Sequence, residues 1–366
     1  MTLPTLGIDV AKATLAVVLL LANRTYRKEF ANTASGHASL LAWLAHHARG
    51  QFVHAALEAP GVYGEEVALA LHQAGHTVSV VNPATIAAYA HSQGARTKTD
   101  AADAALIARY CQKEQPAAWP PPAPEVRELR ALVRQRQALL EMRQQEANRL
   151  SDGAPPASVR SVLTAHVEFL DKQIAGLEQQ IDQHIDDHAE LKRQRDLMTS
   201  IKGVGRRAAS DLLGEIGDLR SFSNARELVA YAGMNPREFR SGSSVQKHTR
   251  LSKPGNARVR ALRSMPALSA IQHNPLVKAL RERLVASGKA KMAAVGAAMR
   301  KLLQLMYGVV KHHRPFDPHY AGRALAERNA GCAPVPAARP GHKPGRVSGA
   351  GVERAAPKAL CLETAT

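Results

Sequence analysis

The sequence is short of cysteine, of aromatic side chains and of acids. Cys111, Cys332 and Cys361 stand far apart, with no CxxC pair and no Cys/His spacing. That argues against a disulfide framework and a zinc site, and it points to reduced thiols in the cytoplasm. Aromatics make up only 4% of the 366 residues. Aliphatic and alanine packing must therefore dominate the interior, and a protein that holds single strands mainly by stacking bases is disfavoured. The apolar run Leu15 to Ala22 is too short to span a bilayer. It follows an acid instead of the basic segment of a signal peptide. A cytoplasmic chain without membrane attachment is expected.

The shortage of acids is the most informative absence. Against 49 Lys and Arg stand 31 Asp and Glu, a formal net charge of +18. Such an excess points to a polyanionic partner, with nucleic acid as the usual one. An anionic membrane surface fits less well, because no basic amphipathic helix with an aromatic face stands out. The length leaves room for two or three domains.

The first stretch reads as α/β. Short apolar strands are expected at Leu6 to Asp9, Thr14 to Leu21, Thr25 to Phe30, Phe52 to Glu58 and Thr77 to Val81, with a turn at Ala22–Asn23–Arg24. Helices are expected at Ser35 to His47, with Ser35 as N-cap, at Tyr63 to Ala74, and at Asp100 to Gln112. Asn82–Pro83 reads as a strand stop. The result is a mixed sheet flanked by helices. Five prolines between Gln115 and Pro124 mark a linker or turn. Two long helices follow, Glu125 to Leu150 and a second in which Leu163, Val167, Leu170, Ile174, Leu177 and Ile181 form an a/d seam. An antiparallel coiled-coil hairpin is expected there. Ser200 to His313 reads as all-helical, and the Ala/Pro/Gly-rich basic tail from Asn329 as disordered.

Four acids stand out against the basic background. Asp9 ends one apolar strand and Glu58 another, just where α/β sites gather. Asp100 and Asp103 lie three apart at a helix start and share a face. Each alone has a bland role: Asp9 capping a turn, Glu58 a solvated strand end, the pair complementing the helix dipole with Thr99 or Asp100 as cap. Together they place four carboxylates at one edge of one domain. Clustered carboxylates raise one another's pKa unless cations sit among them. Hard oxygen ligands of this kind select Mg²⁺ or Mn²⁺, and paired ions of that class clamp the oxygens of a phosphodiester.

These residues resemble a known family. Gly7-Ile8-Asp9 with Ala11-Lys12, Glu58-Ala59-Pro60-Gly61-Val62-Tyr63, Asn82-Pro83 and Lys98-Thr99-Asp100-Ala101-Ala102-Asp103-Ala104 look like the RuvC-like (RNase H-like) domain of the DEDD-type insertion-sequence transposases, recombinases guided by a bridge RNA. The metal-ligand roles then fall on Asp9, Glu58, Asp100 and Asp103. Pro60 departs from the pattern, which commonly has a small polar residue there. Ser200-Ile201-Lys202-Gly203-Val204-Gly205, running on to Leu212-Leu213-Gly214-Glu215-Ile216-Gly217, looks like a helix-hairpin-helix. Gly203 and Gly205 would let backbone N–H groups meet phosphate; an ordinary glycine-containing helical turn is the alternative. Tyr231 to Pro236, Ser241-Gly242-Ser243-Ser244 and Arg250-Leu251-Ser252-Lys253-Pro254-Gly255-Asn256 resemble the family's carboxy-terminal transposase domain, whose nucleophilic serine matches Ser241. By composition alone this Ser-Gly stretch reads as a loop.

The resemblance covers about residues 5–320. It implies an α/β plus α architecture. The RuvC-like domain would span residues 1–114, the linker 115–124, the coiled coil 125–196 and the helical transposase domain 197–320, with the tail at 321–366. It implies double-stranded DNA as substrate, a guide RNA and a homo-oligomer. Lys98, Arg237, Arg240, Lys247, Arg250 and Lys253 would hold nucleic acid alongside Gly203 and Gly205. Two other classes remain open: a junction-resolving nuclease using water, which needs the acids but not Ser241, and a non-catalytic nucleic-acid-binding protein, which leaves the acids unexplained.

Overall fold

A computed structural model of the protein describes residues 3–319, except 23, 59–62, 95–98, 154, 242–244, 253–254 and 262–263. The tail expected to be disordered therefore lies outside the described residues. Among the described residues no helix is long and apolar enough to cross a membrane.

The α/β part begins with β1 (Thr5–Val10), β2 (Thr14–Leu21) and β3 (Arg24–Ala31), followed by α1 (Ala34–His47), β4 (His54–Glu58), α2 (Glu65–Gln73) and β5 (Thr77–Val81). The strands form one mixed sheet in the order β3-β2-β1-β4-β5. The hairpin-linked strands β1, β2 and β3 pair antiparallel, whereas β4 and β5, reached through helices, pair parallel. Thr5 on one face of β1 and Leu6 and Ile8 on the other are fully buried, as expected of a central strand covered on both faces. This mixed sheet with flanking helices is consistent with a RuvC-like α/β fold.

Two local expectations need correction. Thr33, not Ser35, caps α1: its Oγ1 accepts from the Gly36 amide at 3.2 Å. Asn82–Pro83 does more than stop β5. Asn82 accepts from the Ala84 amide at 2.9 Å, and Pro83 opens α3 (Pro83–Ser92), because proline's fixed φ and missing donor suit a first helical turn.

α4 (Asp100–Glu114) lies directly on β1 and β2. Small residues allow this. Ala104, Ala105 and Ala108 pack on Val18, Ala16 and Leu20, and a side chain at Gly7 would collide with the Ala104 carbonyl and the Ala108 backbone. The proline-rich segment that follows is docked on β5. Trp119 donates its amide to Val78 O at 2.7 Å, and Ser79 Oγ lies within hydrogen-bonding distance of Pro116 O and Ala117 O.

α5 (Pro124–Ser151) and α6 (Ala157–Asp187) pack antiparallel. Contacts join His184 to Glu125, Arg143 to Asp171 and His166 to Glu146. Leu170, Ile174 and Ile181 of the apolar seam are buried. The near end of the pair enters a second core. Val126, Leu129, Val133, Ile181 and Ile185 join residues of α7 (Ala189–Thr199), α8 (Arg206–Ile216) and α9 (Ala225–Tyr231) there.

The expectation of an all-helical region after Ser200 is wrong at one place. β6 (Pro236–Ser241) and β7 (Val245–Leu251) form an antiparallel ribbon, with Ser241 opposite Val245 and Arg237 opposite Arg250. Phe239, Val245 and Thr249 favour strands, but the Ser/Gly run between them masks the pattern. α10 (Ala257–Ala261), α11 (Ser264–His273), α12 (Pro275–Ala286) and α13 (Lys291–Lys311) are the remaining helices among the described residues.

Candidate active site

The register of the parallel pair β1–β4 runs Gly7↔Ala56 and Ile8↔Leu57. The next residues along both strands are Asp9 and Glu58, at the carboxyl ends of neighbouring strands. Both are half-buried. α4 then brings two more acids. Thr99 caps it, accepting from the Ala102 amide at 3.2 Å, so Asp100 and Asp103 stand in its first turn. Gly7 and Ala104 set how closely this helix lies on β1.

The acids sense one another. Burial pushes the Asp9 carboxyl above its ordinary range, and the charges of Asp100, Asp103 and Glu58 push it further in that order, against a lowering hydrogen bond from the Val10 backbone. Repulsion between carboxylates of one cluster is the physical cause. Among the described residues no three His, Cys, Asp or Glu side chains stand close enough to share a metal ion. The acids are thus in electrostatic reach of one another but not drawn together. The donor set, four carboxylates and no nitrogen or sulfur, fits a hard divalent cation.

A third loop reaches this edge. Asn32, between β3 and α1, donates through Nδ2 to Ala11 O at 3.0 Å and to Tyr63 O at 2.9 Å, while its Oδ1 pairs with His37 Nε2 at 2.9 Å. The sequence reading missed Asn32, which lacks any charge or motif to mark it.

The other expected residues are spread out. Lys98 and Lys253 lie outside the described residues, as do Gly242, Ser243 and Ser244. Ser241 ends β6, and Arg237, Arg240, Lys247 and Arg250 lie along the ribbon. Gly203 has a packing reason to be glycine: its φ is +99°, and a Cβ there would meet Ala270 Cα at 2.5 Å. Gly205 caps α8 and faces open space. Sequence reasoning also missed an arginine row on α5. Arg130 donates to Gly214 O at 3.1 Å and to Glu65 at 3.4 Å, tying α2 to α8. Arg134 forms a two-point pair with Glu215 at 2.8 and 2.9 Å. The spacing of Arg127, Arg130 and Arg134 on one helical face was the available signal.

Two family models match the chain. A DEDD-type IS110 transposase model covers residues 6–152, and a model of the IS116/IS110/IS902 transposase family covers residues 195–282. The chain is 36% identical over 314 residues to the pilin gene-inverting protein of Moraxella bovis, spanning 85% of this chain and 97% of that protein. The protein of the same name from Moraxella lacunata matches equally, at 36% over 314 residues. A putative transposase, y4qE, of Sinorhizobium fredii is 29% identical over 276 residues, 70% of this chain and 69% of that one.

Proposed function

Because the chain belongs to the IS116/IS110/IS902 family of insertion-sequence transposases, and so is a DNA transposase or recombinase, we propose that it cuts and rejoins DNA with a divalent cation held by Asp9, Glu58, Asp100 and Asp103 and with Ser241 as nucleophile. The observation that carries the reading is the placement of Asp9 and Glu58 at the carboxyl ends of adjacent parallel strands, with Asp100 and Asp103 in the first turn of the helix packed on β1. Two strand ends and one helical turn have no structural need to bring four like charges within electrostatic reach of one another. Relatives named for inverting a pilin gene suit a reaction that rejoins what it cuts.

Mg²⁺ or Mn²⁺ bound there would polarise the scissile phosphate and favour the serine alkoxide. The acids would hold that cation, which would relieve their mutual repulsion. Ser241 Oγ attacks phosphorus, the P–O bond to one DNA strand breaks, and the serine proton passes to the departing oxygen, which leaves as a DNA hydroxyl. The phosphoserine link conserves the phosphodiester energy, so a free DNA hydroxyl restores the strand and returns the proton to Ser241 without ATP. Arg237, Arg240, Lys247, Arg250 and Lys253, with Lys98 two residues before Asp100 in the sequence, neutralise the DNA backbone. The amides around Gly203 and Gly205 add neutral phosphate contacts. Target choice comes from a guide RNA by base pairing. The α5–α6 hairpin acts as a coiled coil in a homo-oligomer, so the acids of one subunit work with Ser241 of another.

The test is covalent trapping. The full chain is incubated with its element's DNA and Mg²⁺, then denatured. The wild type should retain a protein–DNA adduct and Ser241→Ala should not. An adduct that persists in Ser241→Ala overturns the nucleophile. Hydrolysed ends without any adduct point to water. Nucleic acid that copurifies with the chain, once sequenced, should include a structured RNA.

A further inference from the structure

We infer that Asn32 is a positioning residue for the reaction, linking Ala11 after the Asp9 strand to Tyr63 after the Glu58 strand through its side-chain amide. The inference rests on the carboxylate site proposed above. Asn32 contributes no charge and no ligand. What it contributes is geometry.

Asp9 and Glu58 stand at the carboxyl ends of adjacent parallel strands. Ala11 lies two residues after Asp9, and Tyr63 five after Glu58. Asn32 Nδ2 donates to the carbonyls of both, at 3.0 and 2.9 Å. A single amide thus joins the β1 loop to the β4 loop. A side-chain NH₂ has two donors, and both are used here. Asp9 and Glu58, on the strand ends just before these segments, repel each other, so a neutral crosslink from a third loop opposes their separation.

Asn32 is itself fixed on several sides. Its Oδ1 pairs with His37 Nε2 at 2.9 Å, which identifies the other amide atom as the donor and requires His37 to carry its proton on Nε2. Its backbone N–H donates to Ala13 O at 2.8 Å. His37 is buried on α1 at 8% exposure. The helix comes close enough for this contact because Gly36 has no side chain; a Cβ there would collide with the Ala31 carbonyl. The chain Gly36, His37, Asn32, then Ala11 and Tyr63, carries the orientation of α1 to the acid-bearing edge. Groups bonded directly to metal ligands commonly change metal affinity about 10- to 100-fold when lost; Asn32 acts one step further out, through the backbone after each strand.

Three full-length variants test this. Asn32→Ala removes both donors. His37→Leu removes the group that orients them. His37→Gln keeps an N–H donor for Oδ1. Two readouts are taken: the Kd for Mn²⁺, and amide hydrogen exchange of residues 11–14 and 63–66 in EDTA. Asn32→Ala is expected to weaken Mn²⁺ about tenfold or more and to speed exchange in both loops together. His37→Leu should do the same more mildly, and His37→Gln should restore both. A lowered Tm with unchanged Mn²⁺ Kd and unchanged loop exchange would show a merely structural residue and overturn the inference. So would faster exchange confined to the start of α1. If the wild type binds no Mn²⁺, the carboxylate reading fails on its own, and the exchange readout still decides whether Asn32 joins the loops.

Discussion

Gly7 lies so close beneath Ala104 that a single methyl on Gly7 would strike the Ala104 carbonyl. That contact sets α4 on β1, and Asp103 is the residue before Ala104. Gly7→Ala should therefore disturb the active site and the core together. Overpacking of this kind costs about 1–3 kcal/mol, and adduct formation should fall with it. Gly176→Ala is the control, since a methyl there meets nothing within 4 Å. In mid-helix it should leave stability unchanged or raise it by up to about 1 kcal/mol. Urea unfolding and adduct yield check both variants.

Removing one acid should stabilise the metal-free protein. Asp9 is held above its usual carboxylate range by burial and by Asp100, Asp103 and Glu58. Asp9→Asn removes both costs, so its Tm in EDTA should exceed that of the wild type while its adduct yield drops to background. A lower Tm would mean that the charge of Asp9 stabilises the fold, against the repulsion described above.

A buried ion pair joins α5 to α8. Arg136 and Asp211 are 2% and 6% exposed, and they are paired. Burial nevertheless raises the Asp211 carboxyl despite the nearby guanidinium. Arg136→Met leaves that acid alone in the interior and should cost about 3–5 kcal/mol. The double variant Arg136→Met/Asp211→Leu should recover most of the loss. Urea denaturation of the single and double variants decides it.

Acid should weaken the sheet domain through His54. His54 is 5% exposed, and its Nε2 lies 2.8 Å from Ser79 Oγ. Burial lowers its pKa below the ordinary 6.5. Above pH 6.5 it is neutral in both the folded and unfolded chains and has no effect on stability. As pH falls through 6.5, the unfolded chain takes the proton first, so stability drops until the folded-state pKa is passed. The urea midpoint should fall more between pH 7.5 and pH 5.5 in the wild type than in His54→Gln.

Much of this was legible in the sequence because the strands are apolar runs with sharp ends. Thr77 to Val81 matches β5 to the residue, and the two Asp in the first turn of α4 needed only helical spacing to share a face. The misses have physical causes. Asn82 and Pro83 end a strand and begin a helix with the same chemistry, so reading one meaning hid α3. The Ser241 ribbon was hidden by turn residues that outweighed Phe239, Val245 and Thr249. Asn32 and Gly7 act through contacts between residues distant in sequence, and no local pattern reports those.

The central claim is that Asp9, Glu58, Asp100 and Asp103 form one divalent-cation site. Titrating Mn²⁺ into the full chain, followed by paramagnetic resonance, tests it most directly. The wild type should bind saturably, and Asp9→Asn, Glu58→Gln, Asp100→Asn and Asp103→Asn should each weaken binding by at least the roughly tenfold that loss of a mere supporting partner costs. Equal Mn²⁺ binding by the wild type and all four variants would contradict the account.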